Sequence, residues 1–139
     1  MYLLDTNVIS QTARKQPDPG VIDFLSRVRD SRDGLFLSVL SMGEIHRGIV
    51  KLERQGDDDQ ARKLRHWHRE IAEEFAEHIL PIDGDTAIIW GAILAATDAT
   101  NAIDKLIAAA ALRYDLILVT RNVGHMRGTG VRLLNPFSD

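Results

Sequence analysis

The chain has 139 residues, 45% of them hydrophobic and 27% charged, with a formal net charge of -3 and no cysteine. That length fits one domain, residues 1–139, around one core, and the missing cysteine excludes disulfides, thiolate metal sites and cysteine nucleophiles. The weakly acidic balance gives no global drive toward nucleic acid, so any such binding must come from local patches.

Tyr2-Leu3-Leu4 is short and apolar, the size of a buried strand, and Asp5-Thr6-Asn7 supplies turn and helix-capping residues. A short helix over 7–12 and a Pro17-Asp18-Pro19-Gly20 loop follow. Val21, Ile22, Leu25 and Val28 fall at helical spacing, and Asp33-Gly34 turns the chain into a second strand, Leu35–Val39. Ser41 and Glu44 stand three apart in a capping-box pattern, predicting a third helix to about Arg54. Asp58 or Asp59 is the expected cap of a charged helix over 60–78, where Leu64, Trp67, Ile71 and Phe75 form one apolar stripe. A strand at Ile79–Ile82, helices over 86–96 and 103–114, a strand at Leu116–Val119, a short helix over 122–126 and a last strand at Val131–Leu134 complete the order. Strands alternating with helices predict a mostly parallel sheet covered on both faces, a three-layer α/β/α sandwich. No apolar run reaches bilayer length and no basic segment leads into one at the start, so a cytoplasmic protein is expected.

In this map several acids reach equivalent places. Asp5 ends the first strand, Glu44 lies one turn into the helix after the second, Asp104 opens the helix before the fourth, and Asn122 follows that strand. All can converge at the carboxyl edge of one sheet, where open α/β folds place their sites. Each also has an ordinary role: Asp5 and Asn122 as helix caps, Glu44 as the acid of a capping box, Asp104 as a complement to a helix dipole. Taken together they repel one another, and Mg²⁺ or Mn²⁺ would offset that repulsion through oxygen ligands. The histidines lack metal-ligand spacing among themselves, and the chain has no P-loop, no dinucleotide fingerprint and no G-x-S-x-G elbow.

Leu4-Asp5-Thr6-Asn7-Val8-Ile9-Ser10, Leu37-Ser38 through Gly43-Glu44-Ile45, Ile103–Ala109, Leu118-Val119-Thr120-Arg121-Asn122 and the terminal Val131–Phe137 together resemble a PIN-domain ribonuclease of the VapC or FitB-like toxin type. The resemblance implies a metal-dependent endoribonuclease with Asp5, Glu44 and Asp104 as Mg²⁺ ligands, Mn²⁺ as a substitute, and Asn122, Thr6 and Asn7 orienting ligands or water. It further implies a homodimer silenced by a cognate antitoxin, with operator DNA bound only through that antitoxin. Residues 40–78 would be a helical pair shaping the dimer or antitoxin groove; for Trp67 and Phe75, packing on the sheet is an equal alternative. Arg121, Arg47 and Lys105 are candidates to attract RNA phosphate. Two departures stand out: many relatives have a fourth acid where Asn122 lies, and the 96–101 stretch is short. The alternative function is a PIN-like module of little or no turnover that acts by binding its antitoxin or RNA; Asn122 favours it and the intact acidic trio opposes it.

Overall fold

The computed structural model describes residues 1–29 and 34–138. In chain order it contains β1 (Tyr2–Leu4), α1 (Thr6–Ile9), a 3-10 turn (Ser10–Ala13), α2 (Pro19–Arg29), β2 (Leu35–Ser38), α3 (Val39–Arg54) and α4 (Asp58–Glu74). There follow β3 (Ile79–Leu80), α5 (Gly84–Ala96), α6 (Ala102–Arg113), β4 (Ile117–Val119), a second 3-10 turn (Val123–Met126) and β5 (Leu133–Leu134). The five strands form one sheet in the order β3-β2-β1-β4-β5, and every pairing is parallel.

Alternation along the strands divides the core. Leu4, Leu37 and Val119 face one way, onto Val21, Phe24 and Leu25 of α2 and Ile71 of α4. Leu3 and Leu118 face the other way, onto Ile107, Ala108, Ala110 and Ala111 of α6. Successive strand residues point to opposite faces, so this split produces the expected α/β sandwich. Ala108, Ala109, Ala110 and Ala111 of α6 are fully buried, and their small side chains let the helix lie close to the sheet. Phe75 is buried in the first core and Trp67 packs on it, donating Nε1–H to Thr12 Oγ1 at 2.9 Å. The stripe of α4 therefore packs inward, which settles Trp67 and Phe75 in favour of the sheet. A smaller core of Ile45, Ile49 and Ala61 joins α3 to α4.

Several boundaries differ from expectation. Ser38, not Ser41, caps α3, its Oγ accepting from Leu40 N at 3.1 Å; the helix takes Val39, which had read as strand. Asp57, not Asp58 or Asp59, caps α4 by accepting from Gln60 N, and that helix stops at Glu74 rather than 78. Pro81, which has no N–H to give a ladder, follows the shortened β3. Of the expected Asp33-Gly34 turn, Asp33 lies outside the described residues. Gly128 and Gly130 take φ of 81° and 79°, left-handed values that glycine adopts without strain, in the turn that feeds the shortened β5.

Candidate active site

From β1 the chain proceeds to β2 and β3 on one side, then crosses to β4 and β5 on the other. The carboxyl ends of β1 and β4 therefore flank a topological switch point, the crevice where parallel sheets bind ligands. Asp5 is the first residue beyond β1 and is 3% exposed. Its Oδ1 accepts from Thr6 N at 2.8 Å, capping α1, and its Oδ2 accepts from Thr120 Oγ1 at 2.7 Å. Asp5 is thus both a helix cap and a buried carboxylate at the switch point. Burial raises its pKa; the bonds from Thr120 and Thr6 oppose the rise, and the charges of Asp104 and Glu44 add to it.

Glu44 reaches the same place through Thr6. The Thr6 hydroxyl lies 2.7 Å from Glu44 Oε1 and 2.8 Å from Ser41 Oγ. A carboxylate can only accept, so Thr6 gives its single proton to Glu44 and is left to accept from Ser41. Ser41 and Glu44, one turn apart on α3, thus present one face to Thr6. Asp104 lies in the first turn of α6, which starts after Asn101 in a left-handed conformation (φ 53°) and is tied to α5 by Trp90 Nε1–H donating to Ala102 O at 2.9 Å. Its Oδ2 lies 2.6 Å from His125 Nδ1.

Among the described residues no three acidic or imidazole groups stand close enough, as placed, to share one ion. The donor chemistry nevertheless fits a hard divalent cation. Asp5 lies within electrostatic reach of both Glu44 and Asp104, it is buried with its ionised form disfavoured, and each of the three carboxylates retains unused oxygen lone pairs. Thr6, Thr120 and His125 each hold one of the carboxylates by a hydrogen bond, as partners of metal ligands commonly do.

The expected site residues are not equally engaged. Glu44 and Asp104 lie near enough to Asp5 to act on its charge, and Asn7 Oδ1 accepts from Arg121 N at 3.3 Å, joining the ends of β1 and β4. Asn122 reaches the cluster through its backbone, N–H to Thr120 Oγ1 at 3.0 Å; its side chain caps nothing. Lys105 is no phosphate receptor: it is 4% exposed and its Nζ donates to Asp98 O and Oδ1 at 2.7 and 3.0 Å. Arg121 stacks over Phe137, 4.7 Å from the ring centroid, while Arg47 is exposed on α3. Sequence reasoning missed Thr120, Ser41 and His125. Thr120 was discoverable, since it ends β4 just as Asp5 ends β1.

The PIN domain family profile matches residues 2–127, nearly the whole chain. The chain belongs to the PIN domain family. Asp5, Glu44, Asp104, Thr120 and His125 all lie within the matched region. Among its PIN relatives, toxin FitB of Neisseria gonorrhoeae is 32% identical over 145 residues, all of both chains. The VapC ribonuclease Y4jK of Sinorhizobium fredii is 24% identical, covering 99% of this chain and 98% of the relative. The crystal structure of FitAcB from Neisseria gonorrhoeae superposes with a TM-score of 0.82 at 32% identity, covering 98% of each chain. A structure of FitAB bound to a DNA fragment gives 0.83 at 31% identity, covering 98% of this chain and 95% of that one.

Proposed function

We propose that this PIN protein is the toxin of a toxin–antitoxin pair, an endoribonuclease that hydrolyses RNA phosphodiester bonds with Mg²⁺, or Mn²⁺ in its place. The observation that carries the reading is the buried Asp5 at the switch point, flanked by the charges of Glu44 and Asp104. Likeness to a protein named as a VapC ribonuclease and to toxin FitB supports the activity and the biological role. The FitAB complex with DNA supports a cognate antitoxin that carries the operator contact. A homodimer and a cytoplasmic site of action complete the proposal.

Asp5 and Asp104 would hold the cation directly, with Glu44 as the third oxygen donor. When bound, the cation lowers the pKa of a water and offsets charge gathering on the phosphate. The chain's own residues set the geometry. Thr6 fixes Glu44, Thr120 and the Thr6 amide fix Asp5, and His125 fixes Oδ2 of Asp104, with lone pairs left on each carboxylate for the site. Glu44, the most exposed of the three, is placed to accept a proton from water.

The test is cleavage of total cellular RNA by purified, antitoxin-free protein with Mg²⁺, with Mn²⁺ and with EDTA, beside an Asp5→Asn/Asp104→Asn double variant. Discrete metal-dependent products, absent from the variant, are expected. Folded protein that yields no product with either metal would replace the ribonuclease by the binding-module reading, which the amide at Asn122 favours.

A further inference from the structure

Arg47, Lys51 and Arg54 follow Glu44 on α3 at three, seven and ten residues. At about 100° per residue all four lie within an arc of about 80°, and at about 1.5 Å per residue the row extends roughly 15 Å from Glu44. The opposite side of the helix, Ile45 and Ile49, is buried against α4, so the row faces solvent. A shallow groove of about 590 Å³ runs beside it, lined by Arg47, Val50, Lys51, Arg54 and Gln55. Among the described residues none of the three cations has an ion-pair partner, whereas Arg27, Arg29, Arg65, Arg113 and Arg132 each have one. On a chain of net charge -3, this is a concentrated, uncompensated positive strip that begins at an acid of the candidate site.

We infer that this strip is the substrate track: the sugar–phosphate backbone of single-stranded RNA lies along α3 over Arg47, Lys51 and Arg54 and enters the acidic crevice at Glu44. Positive grooves that follow the backbone are how single strands are held without reading sequence. The apolar floor at Val50 and the stems of Arg and Lys give the sugars a surface to lie on. This inference rests on the ribonuclease reading and names the binding face of that same site.

The experiment measures binding of a short fluorescent single-stranded RNA in EDTA, which separates binding from cleavage. The proteins are wild type, an Arg47→Gln/Lys51→Gln/Arg54→Gln triple, and a Lys15→Gln/Lys63→Gln/Arg69→Gln triple that removes equal charge from exposed positions off the strip. Glutamine is a good helix former, and circular dichroism verifies folding. The strip triple is expected to bind about tenfold or more weakly, and its salt dependence to flatten by about 2 in log–log slope, near 0.7 per lost phosphate contact. The control triple is expected to bind within about twofold of wild type. Equal losses in both triples overturn the track, because that is the response of general surface charge. So does a strip triple that binds RNA normally while wild type cleaves. A strip triple that keeps RNA but loses an oligoglutamate peptide overturns it in favour of an acidic protein segment. Wild type that neither binds nor cleaves RNA removes the ribonuclease reading and the track together.

Discussion

Burial disfavours the ionised form of Asp5, and the charges of Asp104 and Glu44 act in the same direction. The carboxyl therefore titrates above its ordinary 3.8 in the folded chain. A raised folded pKa favours folding below the unfolded value, and that contribution is lost as pH rises through the folded value. At neutral pH, without metal, Asp5 is accordingly a destabilising charge. Asp5→Asn, equal in shape and uncharged, is expected to melt above wild type in EDTA near neutral pH, with the gap closing toward about pH 4. A variant that melts below wild type throughout would show that the hydrogen bonds at Asp5 outweigh its burial. Thr120→Val tests those bonds. It removes a buried donor to a charged acceptor, worth about 2 kcal/mol or roughly 8 °C in Tm for a domain of this size. The loss is expected to be greater at neutral pH than in acid, where protonation of the acceptor takes away its charge.

The turn between α5 and α6 forms the rim beside Asp104, and a buried cation holds it closed. Lys105 Nζ donates to the backbone carbonyl and the carboxylate Oδ1 of Asp98, and that Oδ1 also accepts from Thr100 N and the Thr100 hydroxyl. These bonds hold the Asp98 carboxyl down at about 2, led by the Thr100 hydroxyl and then Lys105. Removing the acid strands a buried ammonium, whereas replacing the lysine by an apolar side chain strands nothing charged. Asp98→Ala is therefore expected to lower Tm more than Lys105→Met, and the reverse order in a melting experiment would show that Lys105 does not depend on this pair. The burial of Lys105 was not legible in the sequence, because the partner that permits it sits in a loop with no pattern of its own. The elements themselves were legible, since Leu3, Leu4, Leu118 and Val119 can only be strand in runs that short, and α6 declares itself by its alanines. Caps were less so. Ser38 and Ser41 are both capping residues, and only the tertiary structure decides between them: Ser38 Oγ accepts from Leu40 N, whereas Ser41 is buried against the Thr6 hydroxyl. That Asp5, Glu44 and Asp104 lie near one another was readable from where they stand on the strands and helices. The place of His125 was not, since it meets Asp104 across β4, 21 positions further along the chain.

For the molecule as a whole, the sheet order brings charges from three separate parts of the chain to one crevice, and folding must oppose their repulsion. A cation that binds the folded chain and not the unfolded one stabilises it by mass action, about 2.7 kcal/mol at a hundredfold excess over Kd. In a domain of this size that is roughly 10 °C in Tm. Adding Mg²⁺ or Mn²⁺ to metal-free protein is therefore expected to raise Tm progressively with concentration, by up to about that amount. Asp104→Asn should abolish most of the rise, because an amide offers one weak donor oxygen in place of a charged carboxylate. The Arg47/Lys51/Arg54 triple, which leaves every acid in place, should keep the rise in full. Equal rises in wild type and Asp104→Asn would mean that the cation binds elsewhere, and the crevice acids would then need another explanation for their convergence. A rise lost in Asp104→Asn alone, together with RNA binding lost in the strip triple alone, would divide the molecule into a metal-holding crevice and a backbone-holding helix.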